Sequence, residues 1–363
     1  MHNSIKEAAG SITLQEDLSY IAGENFCAEK LKNRVLFVTG ATGLVGSQIV
    51  RGCACLNREK ALNMKILAFV RNREKAEDIY GELLNRGDVQ LVVGNILDSP
   101  ETYISDDAPI DYIIHAASIT TSKVMIEKPV EVLEVSLMGN RNMLELARRH
   151  QVKKYVYISS MEMYGKFDHG DDLISEEKSG TIDILNVRSN YPESKRMCEN
   201  MCVAYMKQYG VPVSIARLAQ TFGAGILPGE NRVFAQFARS AINGTDIILH
   251  TKGLSEGNYC YTRDMVVAVL TILLKGKVGE AYNVVNEESH TTIADMARMV
   301  VEEIAEGHIT LTYDIPEENI YGYAQDTKMK LSSQKLRELG WEPSVGLEEA
   351  YRRMISYIKE KNI

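Results

Sequence analysis

A glycine-rich turn between a short apolar run and a helical segment places the strongest constraint on the fold. The apolar run covers residues 35–38, and Gly40, Gly43 and Gly46 follow it in the sequence TGATGLVG. Glycine permits a tight turn at the first position, close approach of a pyrophosphate at the second and close helix packing at the third. The free N–H groups and positive end of that helix attract phosphate. The pattern therefore predicts a Rossmann unit that binds a dinucleotide.

Short apolar runs alternate with helical periods through the first part of the chain. Strands are predicted at 35–38, 65–70, 89–93, 112–115, 155–159 and 213–216, with helices at 44–57, 72–85, 129–150 and 191–209. Strands that are apolar throughout are typical of a parallel sheet covered on both faces. Later helices are predicted near 232–243, 264–275, 291–305 and 332–339, with a strand at 281–285. The predicted class is α/β, a Rossmann-type doubly wound parallel sheet with a smaller mixed α/β C-terminal substrate-binding region.

Three regions follow from this pattern. Residues 1–33 are polar and mildly amphipathic, and we interpret them as an N-terminal helical extension. Residues 34–218 form the dinucleotide-binding domain, to which 259–285 return. Residues 219–258 and 286–363 form the substrate-binding domain.

Composition argues against several classes of protein. The net charge of −8 argues against a nucleic-acid or anionic-membrane partner. The chain lacks the run of about 18 apolar residues that spans a membrane, and its first residues lack the pattern of a signal peptide. The six cysteines form no C-x-x-C pair and have no histidine at ligand spacing, so we predict no metal site. A cytoplasmic location is expected.

The end of the second predicted strand bears on the choice of cofactor. An acidic residue there would bind the ribose 2′-OH of NAD, whereas an arginine can hold the 2′-phosphate of NADP. This chain has Arg71 and Arg73 and no acid at that place, which favours NADP. Arg71 can instead stack on adenine while NAD is bound, so NAD stays open.

Tyr191 and Lys195 are the predicted catalytic pair. They lie four residues apart and so share one face of a helix. A phenol with a pKa of about 10 is a poor base, but an adjacent ammonium and a positive nicotinamide ring would stabilise the phenolate. Ser160, at the end of the fifth strand, can hydrogen-bond the same substrate oxygen. This set predicts hydride transfer at a carbinol carbon.

These motifs closely resemble the extended short-chain dehydrogenase/reductase family, in particular its nucleotide-sugar epimerases, dehydratases and decarboxylases. The resemblance covers about residues 34–345. The matching segments are TGATGLVG at 39–46, HAA at 115–117, SSMEMYG at 159–165, YPESK at 191–195, RLAQTFG at 217–223 and NRVF at 231–234. The resemblance implies oxidation of a sugar hydroxyl to a transient ketone, followed by return of the hydride.

The resemblance also implies contacts with cofactor and substrate. The remaining expected dinucleotide contacts are Thr42, Leu44, Val45, Asn95, Ile96, Ala116, Ala117 and Ser118. The expected substrate contacts are Gln220, Arg232, Val233 and Tyr259. Arg239 and Lys252 are weaker candidates than Arg232 for a diphosphate clamp. The helices at 129–150 and 191–209 resemble the family's dimer interface, so a homodimer is expected.

Departures from the family pattern bear on the reaction. Many 4,6-dehydratases carry Asp-Glu after the catalytic Thr, where this chain has Met161 and Glu162. The acid is therefore missing, whereas Glu162 is a possible second base, for epimerisation or dehydration. Decarboxylases carry Ser-Glu there and a later arginine, whose place is taken by Gly257. Ser136 and Gln220 replace asparagines, and Asn95 replaces an aspartate near the adenine.

Other interpretations of these residues stay open. The alternative role of Glu162 is structural: its carboxylate only hydrogen-bonds the turn at the end of the fifth strand. An acidic loop with Asp171, Asp172, Glu176 and Glu177 is interpreted as a solvated flap rather than a metal site. As a whole the protein can be a nucleotide-sugar decarboxylase or a net NADP-dependent ketone or alcohol reductase. A dinucleotide-sensing regulatory protein is the alternative outside enzymes.

Overall fold

The computed structural model describes residues 5–167, 173–316 and 327–363. The strands are Val35–Thr39 (β1), Lys65–Val70 (β2), Val89–Val93 (β3), Tyr112–His115 (β4), Lys154–Ser160 (β5), Leu173–Ile174 (β6), Val213–Leu218 (β7), Gln220–Phe222 (β8), Ile247–Leu249 (β9), Glu256–Tyr261 (β10), Ala281–Val284 (β11), Asn286–Thr292 (β12), Leu311–Tyr313 (β13) and Lys330–Leu331 (β14). The helices are Ile12–Gly23 (α1), Leu44–Lys60 (α2), Arg73–Tyr80 (α3), Ser122–Glu127 (α4), Pro129–Arg149 (α5), Asn190–Tyr209 (α6), Val233–Asn243 (α7), Thr262–Lys275 (α8), Ile293–Met299 (α9), Gln334–Arg337 (α10) and Leu347–Lys361 (α11). Short 3₁₀ turns include Met161–Tyr164 and Val187–Ser189.

A seven-stranded parallel sheet lies at the centre, in the order β11-β7-β5-β4-β1-β2-β3. The chain begins in the middle at β1, moves outward to β3, and then continues from β4 on the other side. The predicted doubly wound sheet is therefore confirmed. Since β1 pairs with both β2 and β4, the strand order reverses beside β1. A ligand crevice is expected there, beyond the carboxyl ends of the strands.

The two faces of the sheet are each covered by helices. Along β1, Leu36 and Val38 belong to one apolar cluster and Phe37 to another, as the two-residue period of a strand requires. The cluster with Leu36 also contains buried residues of α1, α2 and α8, and the one with Phe37 contains those of α5 and α6. The strand β1 is apolar over Val35–Val38 because both of its faces are buried.

Helix α1 packs against α2, α8 and α11. Its residues Leu14, Leu18 and Ile21 are buried, which is the spacing of one helix face. Asp17 is also buried and accepts a hydrogen bond from the Tyr261 hydroxyl at 2.6 Å. The segment that we interpreted as an extension therefore contributes side chains to the core.

The C-terminal region differs in detail from the sequence prediction. The helix predicted at 332–339 is shorter in the structure and is limited to α10. It ends because Gly340 takes a left-handed backbone (φ +87°) and donates its N–H to the carbonyl oxygen of Arg337. At its start, Ser333 N–H donates to Glu287 Oε1 at 2.6 Å. The helix predicted at 291–305 is α9 followed by a π-helical turn at Val300–Ile304. Among the described helices, none has the length and apolar character to cross a membrane.

Candidate active site

The glycine turn after β1 forms the floor of the crevice. Gly40 takes a left-handed backbone (φ +65°), and a Cβ there would lie 2.7 Å from Ala116 C. Gly43 precedes α2, and no side chain caps that helix. The first N–H groups of α2 therefore have no intrahelical partner and are available to an anion.

Gly46 is held in close contact with the turn, so its substitution is a sharp test of the dinucleotide site. A Cβ at Gly46 would lie 2.3 Å from Gly40 O, a backbone atom that cannot rotate away. We expect Gly46→Ala to lower dinucleotide affinity by about 10- to 100-fold, equivalent to roughly 1–3 kcal/mol. Calorimetric titration measures this. Gly23→Ala, where a Cβ meets nothing within 4 Å, is the control. Equal affinities for both variants would contradict this role.

Thr39, the last residue of β1, fixes the neighbouring turn. Its Oγ1 accepts from the N–H groups of Ala116 and Ala117, both at 3.1 Å. The hydroxyl therefore donates its proton to His115 Nδ1, 2.7 Å away. Burial lowers the pKa of His115 to about 3, so its ring is neutral and can accept. This chain of hydrogen bonds places 116–118 beside the glycine turn.

A cavity of about 440 Å³ opens beyond the carboxyl ends of these strands. Its walls bring together segments that are far apart in sequence. The lining residues include Gly40, Gly43, Leu44, Val45, Gly46, Ala116, Ser118, Thr120, Ser122, Ser160, Met161, Glu162, Tyr191, Lys195, Gln220, Arg232 and Val233. Most of the predicted cofactor, catalytic and substrate residues thus share one cavity.

The residues present fit a bound dinucleotide. The uncapped start of α2 faces the cavity through Leu44, Val45 and Gly46, which suits a pyrophosphate. Within the described part of the chain, Ser118 Oγ is buried with no hydrogen-bond partner, and Ser118 lines the same cavity. A buried hydroxyl without a partner is costly, so a ligand atom is a natural partner for it.

Ser160, Tyr191 and Lys195 all line this cavity. The Ser160 hydroxyl lies close enough to the Tyr191 phenol to lower its pKa. Lys195 Nζ lies 5.6 Å from the centroid of the Tyr191 ring and donates to Ile158 O at 2.9 Å. The strand end of β5 and the first turns of α6 thus hold a phenol, a hydroxyl and an amine around one space.

Burial changes the ionisation of both groups on α6. It raises the pKa of Tyr191 to about 12, the Glu162 carboxylate also raises it, and the Ser160 hydrogen bond and Arg188 lower it. Burial lowers the pKa of Lys195 to about 8. The phenol is therefore protonated at neutral pH in the cofactor-free protein, and a positive charge bound in the cavity would favour its ionisation.

The lowered pKa of Lys195 predicts a pH-dependent stability. In the unfolded chain its pKa is 10.5, so between about pH 8 and 10.5 the unfolded state binds more protons than the folded state. The contribution of Lys195 to the free energy of unfolding therefore rises with pH across this window. Lys195→Met removes this contribution, so wild type gains roughly 3 kcal/mol relative to the variant between the two limits.

Urea unfolding of cofactor-free protein at several pH values measures this difference. Val156→Ala is the control, since it alters a buried apolar side chain of β5 and no titrating group. Its difference from wild type is expected to be the same at every pH. If the difference in free energy of unfolding between wild type and Lys195→Met were also the same at every pH, the effect of burial on this lysine would be contradicted.

Glu162 lines the cavity in the turn after Ser160, to whose Oγ its N–H donates at 3.2 Å. Its carboxylate pairs with Arg188, whose Nη2 lies 3.0 Å from Oε2 and 3.3 Å from Oε1. The Arg188 guanidinium is also 5.9 Å from the centroid of the Tyr191 ring. We did not single out Arg188 from the sequence, although it stands three residues before Tyr191.

Several predicted contacts lie away from the cavity. Tyr259 is buried in the core with its ring edge-on to Phe222, 5.8 Å between centroids, because β10 directs it inward. Asn95 is exposed and accepts from Leu97 N–H at 3.2 Å. Arg71 is exposed at the end of β2. The other predicted cofactor residues outside the lining are Thr42, Ile96, Ala117 and Arg73.

Of the three side chains considered for a diphosphate clamp, Arg232 is the one that lines the cavity. It lines the cavity just before α7 and pairs with Glu230 at 2.6 Å. Arg239 instead bonds the Glu230 carbonyl at 2.7 Å, and Lys252 is exposed outside the lining. Arg232 is therefore the arginine of the set that faces the cavity directly.

The acidic loop lies only partly within the described residues. Asp171 and Asp172 fall outside them. The solvated-flap interpretation is wrong for Glu176, whose Oε1 accepts from Asn283 N–H at 2.7 Å, so it is tied to β11 at the sheet edge. Within the described ranges, no cluster of His, Cys, Asp and Glu has the arrangement of a metal site.

A buried ion pair behind the cavity was also missed. Glu199 Oε2 lies 2.7 Å from Arg217 Nη2, and its Oε1 accepts from Ser159 Oγ at 2.6 Å. Glu199 stands four residues after Lys195 and shares its helix face, a signal that the sequence did contain. The pair joins α6 to β5 and β7 and so fixes the helix that carries Tyr191.

Comparison with known proteins identifies the family. The family model "NAD dependent epimerase/dehydratase family" matches residues 36–285. UDP-glucuronic acid decarboxylase 1 of Xenopus tropicalis is 29% identical over 341 residues, 93% of this chain and 74% of that protein. Human dTDP-D-glucose 4,6-dehydratase is 26% identical over 334 residues, 90% of each chain.

A solved structure agrees with these relatives in fold. The Bordetella bronchiseptica enzyme WbmF, in complex with NAD+ and UDP, superposes with a TM-score of 0.71 at 22% identity, over 92% of this chain and 95% of that one. The family model and the two relatives confirm the resemblance stated from the motifs. The chain is an enzyme that belongs to the NAD dependent epimerase/dehydratase family.

Proposed function

We propose that the enzyme is a nucleotide-sugar epimerase or dehydratase that acts through a transient keto-sugar. The observation that carries this proposal is one cavity that holds the Ser160, Tyr191 and Lys195 set and a further carboxylate, Glu162. Residues 34–218 and 259–285 would hold the dinucleotide, and 219–258 with 286–363 the sugar nucleotide.

Each side chain has a defined part in this chemistry. A dinucleotide held at the glycine turn and the start of α2 would supply the acceptor, and later the donor, of the sugar hydride. Tyr191 takes the proton of the sugar hydroxyl, and Ser160 hydrogen-bonds the same oxygen. Lys195 holds the ribose and favours the ionised phenol. Glu162 removes a proton from the carbon beside the transient ketone. Return of a proton to the opposite face of that carbon gives the epimer, and transfer of the proton from Glu162 to a departing hydroxyl gives water and the dehydrated sugar.

We propose that Arg71 interacts with the adenosine ribose end of the cofactor and favours NADP. Its exposed guanidinium follows β2, where a 2′-phosphate would sit. WbmF was solved with NAD+, and Arg71 can also stack on adenine. Titration of cofactor-free protein with both dinucleotides decides between them. Tighter binding of NADP is expected, weakened by Arg71→Ala, and a clear preference for NAD would reject the NADP assignment.

We further propose a UDP- or dTDP-linked sugar as substrate and a cytoplasmic homodimer as the working form. Arg232 would release the Glu230 carboxylate and bind the diphosphate in its place. The exposed apolar residues of α5 and α6 would pair two copies. They include Val130, Met138, Met197 and Val203.

Turnover in heavy water tests the proposed function. The holoenzyme is incubated with UDP- and dTDP-linked hexoses, first selected by their protection against heat. Proton removal beside a ketone predicts solvent deuterium at that carbon of the product, without net change in the dinucleotide. A product without deuterium there would reject the role of Glu162, and turnover of none of these sugars would reject the substrate class.

A decarboxylase is the second candidate, favoured by the likeness to UDP-glucuronic acid decarboxylase 1. Against it, the strand position of the expected arginine is Gly257, in β10. Release of carbon dioxide from UDP-glucuronic acid by the holoenzyme separates the two. We expect none, and stoichiometric release would favour the decarboxylase.

A further inference from the structure

We propose that Arg188 is a positioning residue that lets Tyr191 and Glu162 work side by side: it holds the Glu162 carboxylate in the cavity wall and offsets its negative charge at the Tyr191 phenol. This inference rests on the proposed function and concerns a residue that neither the sequence motifs nor the family match assigned. A carboxylate and a phenol that must lose its proton are poor neighbours, because each disfavours the negative charge of the other.

The backbone around Arg188 is fixed from several sides. Its N–H donates to Asn186 Oδ1 at 2.9 Å, which starts the turn Val187–Ser189. Asn190 Nδ2 donates to both Val187 O and Met125 O at 2.6 Å. The turn is thus tied to α4, and Arg188 is presented to the cavity wall in a defined place.

The side chain of Arg188 contacts both partners. Its Nη2 donates to both oxygens of Glu162, and its guanidinium lies 5.9 Å from the centroid of the Tyr191 ring. The pair is partly exposed, 31% for Arg188 and 39% for Glu162. Such pairs add little to folding stability, so stability alone does not account for this arrangement.

The charges around the Tyr191 phenol show what Arg188 changes. Burial and the Glu162 carboxylate raise the pKa of Tyr191, whereas the Ser160 hydrogen bond, Arg188 and Arg232 lower it. Lys195 stands on the same helix, and α4 and α5 contribute the apolar Met125 and Val132. Without Arg188 the carboxylate would act on the phenol with less compensation.

A fluorinated tyrosine at position 191 gives a direct test that needs no sugar substrate. Fluorination lowers the intrinsic pKa of the phenol and provides one ¹⁹F signal whose pH titration reports ionisation in the dinucleotide-loaded protein. We expect Arg188→Gln to raise the midpoint by roughly one pH unit. Arg188→Lys should keep a midpoint close to that of wild type. In the double variant Arg188→Gln/Glu162→Gln, the midpoint should move back toward the wild-type value.

The possible results separate this inference from the proposed function. An unchanged midpoint in Arg188→Gln would overturn the inference, and so would a raised midpoint that Glu162→Gln does not lower. Misfolding caused by Arg188→Gln would not be reversed by adding Glu162→Gln. Thermal unfolding of each variant shows whether it is folded. If the midpoints move as expected but no nucleotide sugar is turned over, the proposed function fails and the inference stands.

Discussion

Tyr191→Phe is expected to lower the rate of hydride transfer by about 10²- to 10⁴-fold, the usual contribution of a placed acid or base. The variant removes one oxygen from a buried ring that packs on Met125 and Val132, so the fold and the dinucleotide site are retained. Stopped-flow absorbance of the nicotinamide, in protein loaded with dinucleotide and mixed with sugar nucleotide, measures the step.

The pH dependence of that step carries a further signature. The phenolate is the form that accepts a proton, so the wild-type rate rises with pH toward the pKa of Tyr191, and this rise is absent in Tyr191→Phe. Tyr209→Phe, on the same helix but half-exposed, is the control and should behave as wild type. A Tyr191→Phe variant with the wild-type rate and pH profile would exclude the proposed role.

Glu162→Gln is expected to separate sugar oxidation from product formation. Product formation should fall by about 10²- to 10⁴-fold, because an amide cannot take the proton from carbon. Oxidation of the sugar should continue, and its pH profile should shift to lower pH, since the Glu162 carboxylate raises the pKa of Tyr191. Product analysis after a single turnover, together with the nicotinamide absorbance, measures both steps.

Glu193→Gln is the matched control for this variant. Glu193 is a carboxylate on α6 that pairs with Arg196 at 3.6 Å and does not line the cavity. It should leave both steps unchanged. If Glu162→Gln formed product as fast as wild type, Glu162 would serve only to bond its turn, and the reaction would need another base.

The parts of the molecule that depend on local pattern were predictable from the sequence. The apolar runs and the glycine turn predict a doubly wound parallel sheet, and the four-residue spacing of Tyr191 and Lys195 puts them on one face of α6. The cavity is lined by both the glycine turn and the Tyr191–Lys195 pair, and it lies where the strand order reverses, as expected for such a sheet.

The parts that depend on contacts between distant segments were not predictable. Tyr259 was expected at the substrate, but the direction of a strand side chain depends on register, which here points it toward Phe222. The charge of Arg188 was visible, but its pairing with Glu162 follows from two turns that meet only in the fold. Helix α1 likewise has a modest apolar stripe, whose burial depends on contacts with α2, α8 and α11.

The most direct test of the central claim is rapid mixing of dinucleotide-loaded enzyme with a nucleotide sugar that it binds. Recycling through a keto-sugar predicts a transient rise in reduced-nicotinamide absorbance that returns to its starting value while product continues to form. A steady, stoichiometric change in reduced dinucleotide would contradict that claim and identify a net reductase or dehydrogenase.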